Sequence, residues 1–78
     1  MKEQETKLEI FRSHLLDRIH KDRISSITYD SEGRRYFQAI PKIGEYSWVF
    51  DLALREGVMA NTGPYTTAIT ITEEKTDD

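Results

Sequence analysis

EYSWVFDLALREG, residues Glu45 to Gly57, can be read in two ways, and the fold turns on the choice. As a strand, it places Tyr46, Trp48, Phe50, Leu52 and Leu54 on one face without a break. As a helix, it gathers Ser47, Asp51 and Arg55 into one polar line, with Asp51 and Arg55 an i,i+4 ion pair and Gly57 a C-terminal cap. Propensity divides as well, with β-favouring aromatics first and the helix-favouring LALRE after them. The helix would be apolar around most of its circumference, more than a chain of 78 residues can easily shelter. A strand is therefore expected, with the helix as the alternative.

Downstream, GVMANTGP, Gly57 to Pro64, reads as a connecting loop. YTTAITIT, Tyr65 to Thr72, is a strand of high β-propensity with Tyr65, Thr67, Ile69 and Ile71 on one face. EEKTDD, residues 73–78, reads as an acidic, disordered tail. Upstream, Arg34 to Ile40 is the returning arm of a hairpin whose first arm is Ile24 to Tyr29. DSEG, Asp30 to Gly33, forms the type I turn between them. Pro41, which has no N–H for a ladder, ends the second arm.

At the front, residues 1–5 are polar and expected to fray. TKLE, Thr6 to Glu9, has capping-box spacing. A helix from about Lys7 to Asp22 follows, with Leu8, Phe11, Leu15 and Ile19 on one stripe and Leu16 beside it. The expected class is α+β: one domain over residues 1–78, its N-terminal helix packed on a four-stranded antiparallel meander. The alternative order is αββαβ, with residues 45–56 helical.

A chain this short buries only about 60% of its unfolded surface, and with no cysteine it has neither a disulfide nor a thiolate to reinforce it. Pairing with its own copy, a homodimer, is a candidate remedy. Alternating charges at the N-terminus, where a secretory signal would be apolar, and the lack of a long apolar run point to a cytoplasmic setting with no membrane partner. Residues 1–44 carry nine basic and seven acidic side chains, and residues 45–78 two and seven. That asymmetry can orient a partner but is too weak to demand a polyanion.

His14 and His20 lie six apart, on different helix faces, without the i,i+4 spacing of a zinc pair, so no metal site is assigned. Asp30 and Glu32 are explained by the turn. Neither a G-x-S-x-G elbow nor a phosphate-binding glycine loop occurs, and no catalytic residue or cofactor is expected. RRYF, Arg34 to Phe37, invites comparison with sheets that stack bases, but adjacent Tyr36 and Phe37 point to opposite faces. A weak nucleic-acid grip by this strand with Arg12, Arg18, Lys21 and Arg23 of the helix is the second reading.

The first reading is a small non-catalytic protein-interaction module, an accessory modulator or inhibitor of a larger machine. One helix cannot cover every large apolar group offered, and tyrosine, tryptophan, methionine and arginine are enriched where proteins meet. Tyr36, Trp48, Met59 and Tyr65 are the expected anchors, with Arg34 and Arg35 at the rim. The C-terminal strand, if it lies at an edge, offers a second route through strand pairing.

Overall fold

The computed structural model describes residues 6–73, so the expected fraying of residues 1–5 and the tail beyond Glu73 lie outside the described residues. The order is α1 (Lys7–Leu15), β1 (Thr28–Tyr29), β2 (Arg35–Ala39), α2 (Tyr46–Glu56), β3 (Val58–Thr62) and β4 (Ile69–Glu73). The fold is α+β, with one four-stranded antiparallel sheet in the order β1-β2-β4-β3. Both β2 and β3 run antiparallel to β4, so they are parallel to each other across it, and α2 makes the crossover between them.

The deciding segment is a helix, not the expected strand, and the simple meander gives way to αββαββ. The features weighed for a helix are present: Arg55 Nη2 lies 2.9 Å from Asp51 Oδ2, and Gly57 is left-handed at φ 76° and ψ 32°. The crowding argument against it assumed that its apolar surface had to be buried. Only Val49 and Ala53 are buried on this helix, and Phe50 and Leu54 stay exposed.

The second correction is β3, which occupies the expected loop. VMANT has weak β-propensity, but all five residues pair with β4, from Val58 opposite Glu73 to Thr62 opposite Ile69. Tertiary pairing overrides local preference here. It follows that β4 is internal rather than an edge, and that it starts at Ile69, not Tyr65.

Thr6 caps α1 as read: its hydroxyl accepts from Glu9 N at 3.3 Å, and Glu9 Oε1 accepts from Thr6 N at 3.0 Å. The helix stops at Leu15, well before Asp22. Tighter bonds, Asp17 N to His14 O and Arg18 N to Leu15 O, wind down its end, and His20 is extended. This early stop lets both Ile19 and Ile24 reach the core, with Ile24 bridged to Ala39. Four steps from Ile24 to Thr28 oppose three from Ala39 to Tyr36, a bulge in the first arm of the hairpin. Ser25 Oγ accepts from Gln38 N within it at 2.9 Å.

Both helices lie on one sheet face. Leu8, Phe11 and Leu15 of α1 and Val49 and Ala53 of α2 share a core with Phe37, Ala39, Val58, Ile69 and Ile71. Phe11 and Phe37 meet at 6.3 Å between centroids, tilted by 38°. Such an aromatic pair contributes about 0.5–1.5 kcal/mol beyond its buried area.

Candidate functional site

Alternation along the strands sorts the expected anchors. Phe37, Ile71, Ile69 and Val58 face the helices, so their neighbours Tyr36, Thr72, Thr70 and Met59 face away. Register then places Thr28, Tyr36, Thr72 and Met59 side by side in one row across the whole sheet. A second row holds Gln38, Thr70 and Asn61, with Gln38 Nε2 donating to Thr70 Oγ1 at 3.3 Å. Among the described residues neither helix packs on this face. Tyr36 and Met59 are thus brought together on one surface, with a threonine between them.

The other four expected contact residues lie elsewhere. Trp48 is on α2, beneath Arg18, whose guanidinium carbon stands 4.4 Å from the ring centroid. Tyr65 is 97% exposed in the β3–β4 connection. Arg34 stands at the hairpin mouth, 2.8 Å from Glu32 Oε1 and 3.7 Å from Asp30 Oδ2.

Arg35 points to the helix side of the sheet. Its guanidinium lies 3.6 Å from Glu9 and 3.6 Å from Glu73, and donates to the Thr6 hydroxyl. It clamps the start of α1 to β2 and β4, a role in the fold rather than at a rim.

Two carboxyls are held below the usual carboxylate range. Glu9 is lowered first by the Thr6 backbone N–H and then by Arg35. Asp30 is lowered first by the backbone N–H of Arg34, at 2.9 Å from its Oδ1, and also by that of Glu32 at 2.8 Å. Both anchor local structure, the helix start and the hairpin turn.

The remaining arginines of the basic reading are also engaged. Arg12 donates to Ser25 O and Arg23 to Ile40 O, each at 2.8 Å. His14 Nδ1 lies 2.6 Å from Glu56 Oε2, and His20 Nδ1 accepts from Asp22 N at 3.1 Å. Among the described residues no group of three or more histidine, aspartate or glutamate side chains is placed to hold a metal. A hollow of about 190 Å³ beside Ile24, Gln38 and Ile40 is smaller than ligand pockets, which start near about 300 Å³.

Sequence reasoning missed the apolar flank of α2. At 100° per residue, Val49 and Ala53 mark the core side, and Trp48 and Glu56 turn toward α1, meeting Arg18 and His14. Phe50 and Leu54, with Ile43 in the turn just before the helix, form a stripe on the opposite flank. They are 36%, 80% and 92% exposed. The i, i+7, i+11 spacing of Ile43, Phe50 and Leu54 was the available signal, hidden when the segment was read as a strand.

Comparison with protein-family models, with curated proteins and with solved structures found no match to this chain. Among the described residues no helix is long and apolar enough to cross a membrane.

Proposed function

We propose that this chain is a non-catalytic protein-interaction module of the cytoplasm, acting as an accessory modulator of a larger protein through the open face of its sheet. The observation that carries the reading is the row Thr28, Tyr36, Thr72 and Met59, which the register lays across all four strands on the side away from both helices. An aromatic ring and a thioether at either side of a threonine supply adaptable apolar contact, and the Gln38–Thr70–Asn61 row supplies hydrogen bonding beside it. Arg34, close to the same face at the hairpin mouth, is a rim charge that affects association rate more than affinity.

The state of the arginines favours this reading over a nucleic-acid grip. Phosphate binding needs several free cations on one surface. Arg34 and Arg35 sit among carboxylates, Arg12 and Arg23 donate to backbone carbonyls, and Arg18 covers Trp48.

The test is capture from native-host lysate, with and without nuclease, by the wild-type chain and by the Tyr36→Ala/Met59→Ala variant. A stoichiometric protein that survives nuclease and is lost with the double variant is the expected result. Binding that is indifferent to both substitutions, or that disappears with nuclease, overturns the reading.

A further inference from the structure

Among the described residues the sheet ends in two edges of different character, β1 and β3. β1 is only two residues long, and brevity protects an edge from unwanted pairing. β3 is five residues long, its sequence Val58–Thr62 holds no proline and no charge, and among the described residues only one of its sides is paired. Such an edge lacks the guards of brevity, charge and proline.

Above it lies the uncovered flank of α2. α1 packs against β4, β3 and α2, whereas α2 packs on β3, so the flank of α2 away from α1 lies on the β3 side of the sheet. The strand groups of β3 outside the described ladder and the apolar stripe Ile43, Phe50 and Leu54 therefore lie on the same side of the molecule.

We infer that this edge and flank bind a second copy of the chain, β3 pairing antiparallel with its counterpart across a two-fold axis perpendicular to the sheet. Centred on Ala60, the pairing sets Val58 opposite Thr62 and Met59 opposite Asn61 of the second copy. The same axis lays the two α2 helices antiparallel, stripe against stripe.

The charges fit this arrangement. From Tyr46 to Thr62 the charged residues are Asp51, Arg55 and Glu56, and Glu56 is turned to His14. With Phe50 opposite the second copy's Leu54, antiparallel alignment brings Asp51 within one turn of the second copy's Arg55, and the reverse. The two Asp51 carboxylates also approach across the axis, so two opposite-charge contacts stand against one like-charge contact.

The size of the face sets the strength. A five-residue strand and an eleven-residue helix are each about 17 Å long. Two elements of that length fall short of the roughly 800 Å² per partner of a standard interface. The dimer is accordingly a weak, transient one. Pairing at β3 also joins the two open sheet faces into one continuous surface, so the self-association extends the proposed binding face without occupying it.

Sedimentation velocity of the full chain from micromolar to millimolar concentration tests this. The wild type should pass from monomer to dimer, and Leu54→Glu, at a site exposed in the monomer, should dimerise at least tenfold more weakly with an unchanged melting curve. Asp51→Arg should weaken it several-fold, and adding Arg55→Asp should restore it. Amide exchange in Val58–Thr62 should slow with concentration, while that in Thr28–Tyr29 should not. A monomer at every concentration overturns the inference, as does a dimer indifferent to Leu54→Glu with unchanged β3 exchange. Either outcome leaves partner capture through Tyr36 and Met59 to stand or fall separately.

Discussion

Replacing Gly57 by alanine probes the point on which the fold turns. Its φ of 76° and ψ of 32° lie in the left-handed region, where a Cβ crowds the following carbonyl at a cost of about 1–2 kcal/mol. An added Cβ would also stand 3.0 Å from Lys7 Nζ, but that is the end of a flexible side chain and can swing away. Backbone strain therefore sets the magnitude, a loss of about 1–2 kcal/mol. In a domain of this size each 1 kcal/mol lowers Tm by about 4–8 °C. Asparagine tolerates the conformation better, so Gly57→Asn should recover part of the loss. Gly44→Ala is the control: Gly44 is not in the positive-φ region and has nothing within 4 Å of an added Cβ. It should melt no lower than the wild type, and can gain about 0.4–1 kcal/mol from a stiffer unfolded chain. Thermal melts followed by circular dichroism, with urea titrations for the free energies, read all three variants. If Gly57→Ala melts with the wild type, or Gly44→Ala falls as far as Gly57→Ala, the left-handed cap does not hold the end of α2.

Four further outcomes are expected. Phe37→Ala empties a fully buried site against Phe11, at a cost of about 3–5 kcal/mol, comparable with the whole stability of a small domain. That variant should be largely unfolded by circular dichroism, while Tyr65→Ala, at an exposed loop position, should melt within about 0.5 kcal/mol of the wild type. Glu9 and Asp30 both have carboxyls lowered by folding, so their contribution is present above the ordinary carboxylate range and is lost as pH falls through the lower folded values. The urea midpoint should therefore hold steady from neutral pH down to about 5 and decline below about 4. Glu9→Gln keeps a capping side chain but cannot titrate, so its acid decline should be shallower; a decline as steep as the wild type's would remove Glu9 from that account.

The parts of the fold that could be read in advance are those fixed by residues close in sequence. The capping box at Thr6–Glu9 and the Asp30–Gly33 turn are each closed by bonds spanning four residues or fewer, and both form as their residue types dictate. What escaped reading depends on distant partners. VMANT is a strand because β4 pairs with it, and α1 ends early because Arg23 O and Ile24 are drawn onto β2. Residues 46–56 were misjudged for a different reason. The sequence supplies the helical polar line, but the assumption that every large apolar side chain must be sheltered weighed against it. Leu54 and Ile43 lie in the open, and Trp48, half-buried against the core, also carries an arginine over its ring. The candidate site shows the same division. Tyr36 and Met59 were singled out from residue type alone, but their alignment in one row needed the β2-β4-β3 register. Arg35 was read as a rim charge, and its place beside Glu9 and Glu73 could not be read in advance because both lie far from it along the chain.

Arg35 touches the side chains of both Thr6 and Glu73, so one guanidinium brings together the cap of α1 and the last residue of β4, far apart along the chain. A short peptide joining those two positions, with new ends cut at the exposed Pro64–Tyr65 turn, would yield a circular permutant that keeps every strand neighbour. In that permutant β4 leads the chain and runs straight into α1, and the β3 edge becomes the last element made. The order in which the sheet is synthesised can therefore be separated from the order in which its strands sit.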